Sequence, residues 1–137
     1  MSNKAIQNIF YLSGFINIIG TIVFSKFFSN ETLINADPIV MSPFGLILIT
    51  VWGLAFIAVA STYHKNKWII GVFAIEKLSY VLAWGVWYSK NEILPLYDKD
   101  IFAGLFYSVY GLNDLLFFVF FIYVFFNIHK SSLQNSI

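Results

Sequence analysis

The sequence predicts an all-α protein, a membrane four-helix bundle with both termini on the cytoplasmic side. Of its 137 residues, 59% are hydrophobic and 11% are charged, whereas about 25% of the residues of a soluble domain are charged. Four separate segments are also long and apolar enough to cross a bilayer, which takes about 20 helical residues. We therefore expect residues 1–137 to form a single integral membrane domain whose main partner is the lipid bilayer.

Four spans are expected, at residues 5–29, 44–63, 68–88 and 101–128. The first is too long for the core of a signal peptide and has no small-residue cleavage site after it, so it should remain as a membrane helix. The connection from His64 to Lys67 is very short, and the second and third spans must therefore be antiparallel neighbours. The other two connections are polar and contain the prolines Pro38, Pro43 and Pro95.

The lysines indicate the orientation of the bundle. One end has lysines and no acidic residue: Lys4, Lys65, Lys67 and Lys130. The other end mixes lysines with acids: Lys26, Lys90, Lys99, Glu31, Asp37, Glu92, Asp98 and Asp100. Because lysines are retained on the cytoplasmic side, we place both termini in the cytoplasm. Aromatic residues near the span ends are expected to anchor the helices at the membrane interfaces: Trp68, Trp84, Trp87 and Tyr88.

Charged residues also lie in the middle of the predicted spans. Glu76 and Lys77 are adjacent at the midpoint of the third span, where a charge costs roughly 2.5–3.5 kcal/mol on insertion scales. The midpoint of the fourth span is Asp114, beside Asn113, and that of the first is Asn17. At about 1.5 Å of rise per residue, these groups lie within roughly one helical turn of a common depth. We therefore expect one polar layer shared by three helices.

The charges in this layer do not balance. Lys77 and Asp114 can neutralise each other, and the side chains of Asn17 and Asn113 can supply further hydrogen bonds. An ionised Glu76 then leaves one uncompensated negative charge, which would hold a proton or attract a cation. The alternatives are an ionic lock that only fixes helix packing, or a Glu76 that reaches water. The candidate ligand or proton site comprises Asn17, Glu76, Lys77, Tyr110, Asn113 and Asp114.

Several classes of function are not supported by the sequence. The chain has no cysteine and a net charge of +1, so thiol chemistry and a basic nucleic-acid surface are not expected. We find no phosphate-binding loop, metal-ligand spacing or catalytic constellation, and we expect no enzyme activity, no cofactor and no metal. Two functions remain: a proton-linked or solute transport component within a homo-oligomer or larger membrane complex, and a non-catalytic accessory or scaffold subunit.

Short motifs in three spans carry a resemblance to known proteins. These are Gly14-Phe15-Ile16-Asn17, the lysine of Glu76-Lys77, and the segment Tyr110-Gly111-Leu112-Asn113-Asp114-Leu115. In these motifs the chain resembles a group of small bacterial four-helix inner-membrane proteins of uncharacterised function, and in its layout the broader DoxX-like membrane proteins. The resemblance implies a bacterial inner-membrane bundle with a Lys and Asn-Asp centre and implies no activity. A small residue stands at the position of Glu76 in that pattern.

Overall fold

A computed structural model describes the backbone of residues 1–134 and the side chains as far as Ile128. Residues 1–134 contain no strand, and four helices are long and apolar enough to span a membrane: Asn3–Phe24, Pro43–Ala60, Lys67–Lys90 and Ile101–Ile128, the last continuing to Gln134. These helices, hereafter the first to fourth helices, confirm the all-α four-helix bundle and indicate a multi-pass integral membrane protein. The C-terminus and the side chain of Lys130, which entered the predicted orientation, lie outside the described residues.

The two ends of the bundle are built differently. Two short helices, Glu31–Ala36 and Leu94–Lys99, cover one end, which we call the loop end. A single turn of 3-10 helix, Tyr63–Lys65, joins the second and third helices at the opposite, hairpin end. The N-terminus also lies at the hairpin end, because the Tyr63 hydroxyl donates a hydrogen bond of 3.1 Å to Asn3.

The first helix ends at Phe24, earlier than the expected residue 29. Shortly after it, Lys26, Phe27 and Phe28 have positive φ angles of 50°, 56° and 66°. Each residue other than glycine costs roughly 1–2 kcal/mol of conformational free energy in this left-handed region. The turn is held by Ser25, whose hydroxyl accepts a hydrogen bond of 2.9 Å from the amide of Phe28. The chain thus reverses at the loop end without a glycine.

Local hydrogen bonds set the other helix ends. The second helix begins after Ser42, whose hydroxyl caps the amide of Gly45 at 3.0 Å, and it ends at Ala60 instead of the expected residue 63. A turn of 3-10 helix follows and shortens the connection, so the second helix ends earlier than its apolar sequence suggests. The fourth helix begins at Ile101, as expected, because the carboxylate of Asp100 accepts a hydrogen bond of 2.9 Å from the amide of Ala103.

Glycines allow the helices to pack in two close pairs. The first and second helices meet at Gly14 and Gly53, where a Cβ atom on Gly14 would lie 2.6 Å from the carbonyl oxygen of Gly53. The third and fourth helices meet where the ring of Trp84 covers Gly111, and a Cβ there would lie 2.0 Å from that ring. The short turn makes the second and third helices neighbours as expected, in contact through the rings of Phe56 and Phe73.

Aromatic side chains fill both halves of the core. In the hairpin half, four fully buried rings pack together: Phe10, Phe56, Phe73 and Phe121. In the loop half, Trp87 is buried and its indole N–H donates to the carbonyl oxygen of Ala36 at 2.9 Å. Trp84 donates to the carbonyl oxygen of Tyr107 at 2.7 Å. The burial of Trp87 does not fit the expected anchoring at the membrane interface, whereas that role stays a prediction for the half-buried Trp84.

Candidate functional site

Lys77 is the centre of the polar layer. Its side chain is 1% exposed, and its ammonium group donates to Asp114 Oδ1 at 2.8 Å and to Asn17 Oδ1 at 3.0 Å. The same group lies 5.1 Å from the centre of the Phe56 ring, within the range of a cation–π contact. One lysine from the third helix is thus bound to side chains of the other three helices. Its pairing with Asp114 is the one that the sequence predicted.

A wide helical turn presents Asn17 to this lysine. Residues Ile16–Gly20 form a turn of π-helix inside the first helix, a feature that occurs frequently at functional sites. Small and polar residues recur every four positions along the buried face: Ser13, Asn17, Thr21 and Ser25. In a regular helix of 3.6 residues per turn such a row drifts around the axis, and the wider turn offsets that drift. The side-chain amide nitrogen of Asn17 also donates to the carbonyl oxygen of Ile49 at 3.2 Å.

Asp114 is supported from its own helix as well. The side-chain amide nitrogen of Asn113 donates to Asp114 Oδ1 at 3.2 Å, so this carboxylate oxygen accepts from both Lys77 and Asn113. An ion pair and additional hydrogen bonds offset part of the desolvation cost of a buried carboxylate. Lys77, Asp114, Asn17 and Asn113 therefore form a network in which the charges of Lys77 and Asp114 offset each other.

Glu76 is the exception in this layer. Its side chain is 5% exposed, and its nearest cation is Lys77, 3.8 Å from Oε2. Neither carboxylate oxygen has a hydrogen-bond partner among the described residues. Since Lys77 is neutralised by Asp114, an ionised Glu76 would add a net negative charge to a desolvated site, which is strongly disfavoured. The hydroxyl of Tyr110 is likewise buried without a hydrogen-bond partner in the described part of the chain.

Glu76 and Tyr110 border a cavity of about 220 Å³ that lies mainly between the first, third and fourth helices, with Ile49 of the second helix also in its wall. All six residues predicted as a site line it, namely Asn17, Glu76, Lys77, Tyr110, Asn113 and Asp114. The remainder of the wall is mostly apolar and extends toward the loop end past Phe24 and Phe106. The cavity therefore combines an apolar interior with two buried polar groups that have no hydrogen-bond partner among the described residues. Whether it holds a ligand or a proton remains a prediction.

Glu76 also lines a second space on the other side of the third helix. This groove of about 510 Å³ lies between the second and third helices, from Ile39 and Phe44 at the loop end to Glu76. Trp52 and Tyr80 form part of its wall. Among the described residues, Glu76 is thus the one charged residue common to the cavity and the groove. Both spaces extend from the polar layer toward the loop end, whereas the four packed phenylalanine rings lie on the hairpin side of this layer.

Three features of the site were not anticipated from the sequence. The π-helical turn at Asn17 has no signature in residue types. Tyr80 borders both the cavity and the groove, and its spacing of four from Glu76 was the available signal, since residues four apart share a helix face. The contact between Lys77 and Phe56 joins helices whose relative rotation the sequence does not specify.

A second charged cluster closes the loop end. Asp100 pairs with Lys26 and accepts a hydrogen bond of 2.9 Å from the side-chain amide of Asn30. Desolvation opposes ionisation of Asp100, but hydrogen bonds from Lys26, the backbone amide of Ala103 and Asn30 outweigh it and lower its pKa from 3.8 to about 2. This cluster is partly exposed and ties the turn after the first helix to the start of the fourth.

Comparison with protein-family models, curated proteins and solved structures gives no significant match for this chain. The resemblance to DoxX-like proteins therefore stays a prediction. Within residues 1–128 no group of three histidine, aspartate or glutamate side chains is arranged to hold a metal ion.

Proposed function

We propose that the chain is a proton-linked component of solute transport in which Glu76 carries the exchangeable proton. The observation that supports this function is the position of Glu76, a buried carboxyl without a hydrogen-bond partner among the described residues and bordered by two spaces. Intramembrane ionisable residues commonly mark ion and substrate pathways. A purely structural carboxyl would be expected to have its hydrogen bonds satisfied.

The charges of the site support a mechanism. With Lys77 neutralised by Asp114, a protonated Glu76 leaves the polar layer neutral, which is the favourable state in a desolvated site. Loss of that proton creates one negative charge, which a cation entering the cavity can neutralise. Proton and cation would then compete for one carboxyl, and movement of one would be coupled to movement of the other. Lys77, Asp114 and Asn17 would hold the site in place during this exchange.

The packing of the hairpin half limits how a solute could cross the bundle. Both spaces beside Glu76 extend toward the loop end, and the rings of Phe10, Phe56, Phe73 and Phe121 lie between the polar layer and the hairpin end. A solute could pass only if these rings separated or if a second copy of the chain completed the route. We therefore propose that the active form is a homo-oligomer or part of a larger membrane complex.

Proton movement can be tested with the purified chain reconstituted in liposomes that contain a pH-sensitive dye. An imposed pH gradient should dissipate faster with the wild-type chain than in empty liposomes. Glu76→Gln should abolish the difference, because glutamine is similar in shape and cannot exchange a proton. The matched control is Glu92→Gln, at an exposed position of the loop end, which should retain the wild-type rate. Wild-type liposomes no faster than empty ones would refute the proposal.

A second candidate is an accessory subunit in which the polar layer only fixes the assembly. The observation that favours it is the complete bonding of Lys77, which has two hydrogen-bond acceptors and a facing ring in three other helices. Such a network specifies one packing arrangement. This candidate predicts a stoichiometric protein partner on purification from the membrane and no proton flux in liposomes.

We also propose that the hairpin end faces the cytoplasm of a bacterial inner membrane, in line with the distribution of lysines. Because the chain has no cysteine, single cysteines can report sidedness. A membrane-impermeant maleimide should label Asn91→Cys at the loop end in intact cells. It should label Ser61→Cys, at the hairpin end, only after the cells are permeabilised. The reverse labelling pattern would show that the loop end faces the cytoplasm.

A further inference from the structure

The exposure of residues that line the cavity indicates that it opens on the side of the bundle. The first and fourth helices are in ring contact toward the loop end, where Phe24 packs against Phe102 and Phe106, and toward the hairpin end, where Phe10 packs against Phe120. Between these contacts the cavity is bordered by residues that are themselves exposed on the bundle surface, Ile16 by 38% and Val109 by 46%. We call this opening the side window.

A glycine borders the same window. Gly20 lines the cavity, and a Cβ atom built on it would meet no other atom within 4 Å. This contrasts with Gly14 and Gly53, where a Cβ would collide with the neighbouring helix. Gly20 is therefore not required for helix packing and leaves space beside the π-helical turn. In a bilayer the window would open to lipid at the depth of the polar layer.

The chemistry of the cavity selects one class of occupant. Its wall is mainly apolar and includes the rings of Phe24, Tyr80, Phe106 and Tyr110 together with Glu76, whose carboxyl has no hydrogen-bond partner among the described residues. Aromatic faces and a carboxylate together attract an organic cation, as in sites for quaternary ammonium groups. An inorganic cation would need several oxygen ligands, whereas an anion would be repelled once Glu76 is ionised. A volume of about 220 Å³ suits a molecule of modest size.

We infer that the cavity binds a small lipophilic organic cation, which enters from the bilayer through the side window and displaces the proton of Glu76. The inference rests on the proposed proton-carrying role of Glu76 and names the solute that would exchange with that proton. Bonds and charges balance in this exchange. The carboxyl O–H bond breaks and the proton leaves to water. The carboxylate retains the electron pair and neutralises the bound cation. The layer stays neutral before and after the exchange.

Other titratable groups around Glu76 do not replace it in this exchange. Lys77 and Tyr80 face the cavity from the same helix, and Asp114 and Tyr110 face it from the fourth helix. The ammonium of Lys77 is hydrogen-bonded to Asp114, so these two charges offset each other. The first helix contributes Asn17, and the second contributes Trp52 to the groove, neither of which titrates. Glu76 is thus the group whose charge a cation would compensate.

The test uses benzyltrimethylammonium and its neutral carbon analogue, neopentylbenzene, which has the same shape without the charge. Radiolabelled benzyltrimethylammonium should bind saturably to the purified full chain in detergent, and neopentylbenzene should compete poorly. Binding should release about one proton per cation, detected with an indicator in weakly buffered solution, and should weaken as the pH falls. Equal competition by the neutral analogue, or binding without proton release, would overturn the inference.

Substitutions can test the role of the Glu76 carboxyl and the role of the side window separately. Glu76→Gln should weaken cation binding at least about tenfold, and Glu92→Gln should leave it unchanged. Gly20→Phe should slow uptake of the cation by filling the window, whereas Gly85→Phe, at an exposed glycine away from the cavity that also has open space around it, should not. Equal rates for these two variants would contradict entry through the window. If proton flux depends on Glu76 but benzyltrimethylammonium does not bind, the inference that the cavity binds an organic cation is wrong. The proposed proton-carrying role of Glu76 is not affected by that result.

Discussion

At the scale of single residues, the contrast between Lys77 and Glu76 decides how the site can work. Adjacent in sequence, they point to different surroundings: Lys77 has hydrogen bonds to Asp114 and Asn17, and Glu76 has none among the described residues. A buried polar group without a partner costs about 1–3 kcal/mol, and more when charged. The protein itself relieves this cost at Lys77, and under the proposed function a proton or a ligand relieves it at Glu76.

The Lys77–Asp114 pair can be tested by a double-mutant cycle. Removing one member of a buried ion pair costs about 3–5 kcal/mol, so Lys77→Gln and Asp114→Asn should each lower thermal stability in detergent by more than the double mutant does. Asp114→Asn should be the milder single change, because Glu76 lies 3.8 Å from Lys77 and can replace the lost carboxylate.

Lys65→Gln, at an exposed lysine of the hairpin turn, is the control and should alter stability by no more than about 0.5 kcal/mol. Effects of Lys77→Gln and Asp114→Asn that simply add in the double mutant would mean that the two residues act independently.

Asp100 provides a prediction about pH. Its folded pKa of about 2 lies below the ordinary 3.8, so the ionised carboxylate stabilises the folded chain at higher pH, and this contribution is lost as the pH falls from about 4 toward 2. The melting temperature of the wild type should exceed that of Asp100→Asn near neutral pH and approach it near pH 2. The asparagine side chain in this variant can still cap the fourth helix. A difference that is constant with pH would show that the charge of Asp100 contributes nothing.

At the scale of the helices, glycine placement determines which pairs lie close together. Gly14 and Gly53 let the backbones of the first and second helices meet, and Gly111 accommodates Trp84 between the third and fourth. Small residues at helix contacts are typical of membrane bundles, because lipid gives no hydrophobic drive for association. The seams between the two pairs are bridged by larger side chains, and the cavity and the groove lie in these seams.

This packing predicts opposite outcomes for two glycine substitutions. Gly14→Ala would place its Cβ 2.5 Å from Ile57 and 2.6 Å from the backbone of Gly53, and overpacking of this kind costs about 1–3 kcal/mol. Gly85→Ala has open space and should be neutral or gain up to about 1 kcal/mol from helix propensity. Thermal unfolding of both variants in detergent is the measurement, and similar stabilities would argue against close packing at Gly14.

The helices themselves were predictable because their length and apolar character are local properties of the sequence. The end of the first helix was not, since Lys26, Phe27 and Phe28 adopt positive φ without a glycine to signal it. The expected first span, 5–29, is longer than the helix Asn3–Phe24, so the midpoint of the span gives only an approximate depth for Asn17. Its contact with Lys77 depends on the π-helical turn, which depends on tertiary packing.

At the scale of the whole molecule, two spaces extend from the polar layer toward the loop end, and packed aromatic rings lie between this layer and the hairpin end. The sequence could predict that Asn17, Lys77 and Asp114 share a depth, because the rise of a helix is fixed. It could not predict the two spaces beside Glu76, which result from the way the helix pairs are rotated against each other. The uneven distribution of these spaces along the bundle is therefore information that only the assembled bundle contains.

The central claim is that Glu76 holds an exchangeable proton in the middle of the bundle. Infrared difference spectroscopy of the purified chain in detergent, titrated across neutral pH, measures this directly through the C=O stretch of a protonated carboxyl group. We predict a titrating band that persists in Glu92→Gln and is missing in Glu76→Gln. A wild-type spectrum without such a band at any pH, or a band unchanged in Glu76→Gln, would contradict the claim.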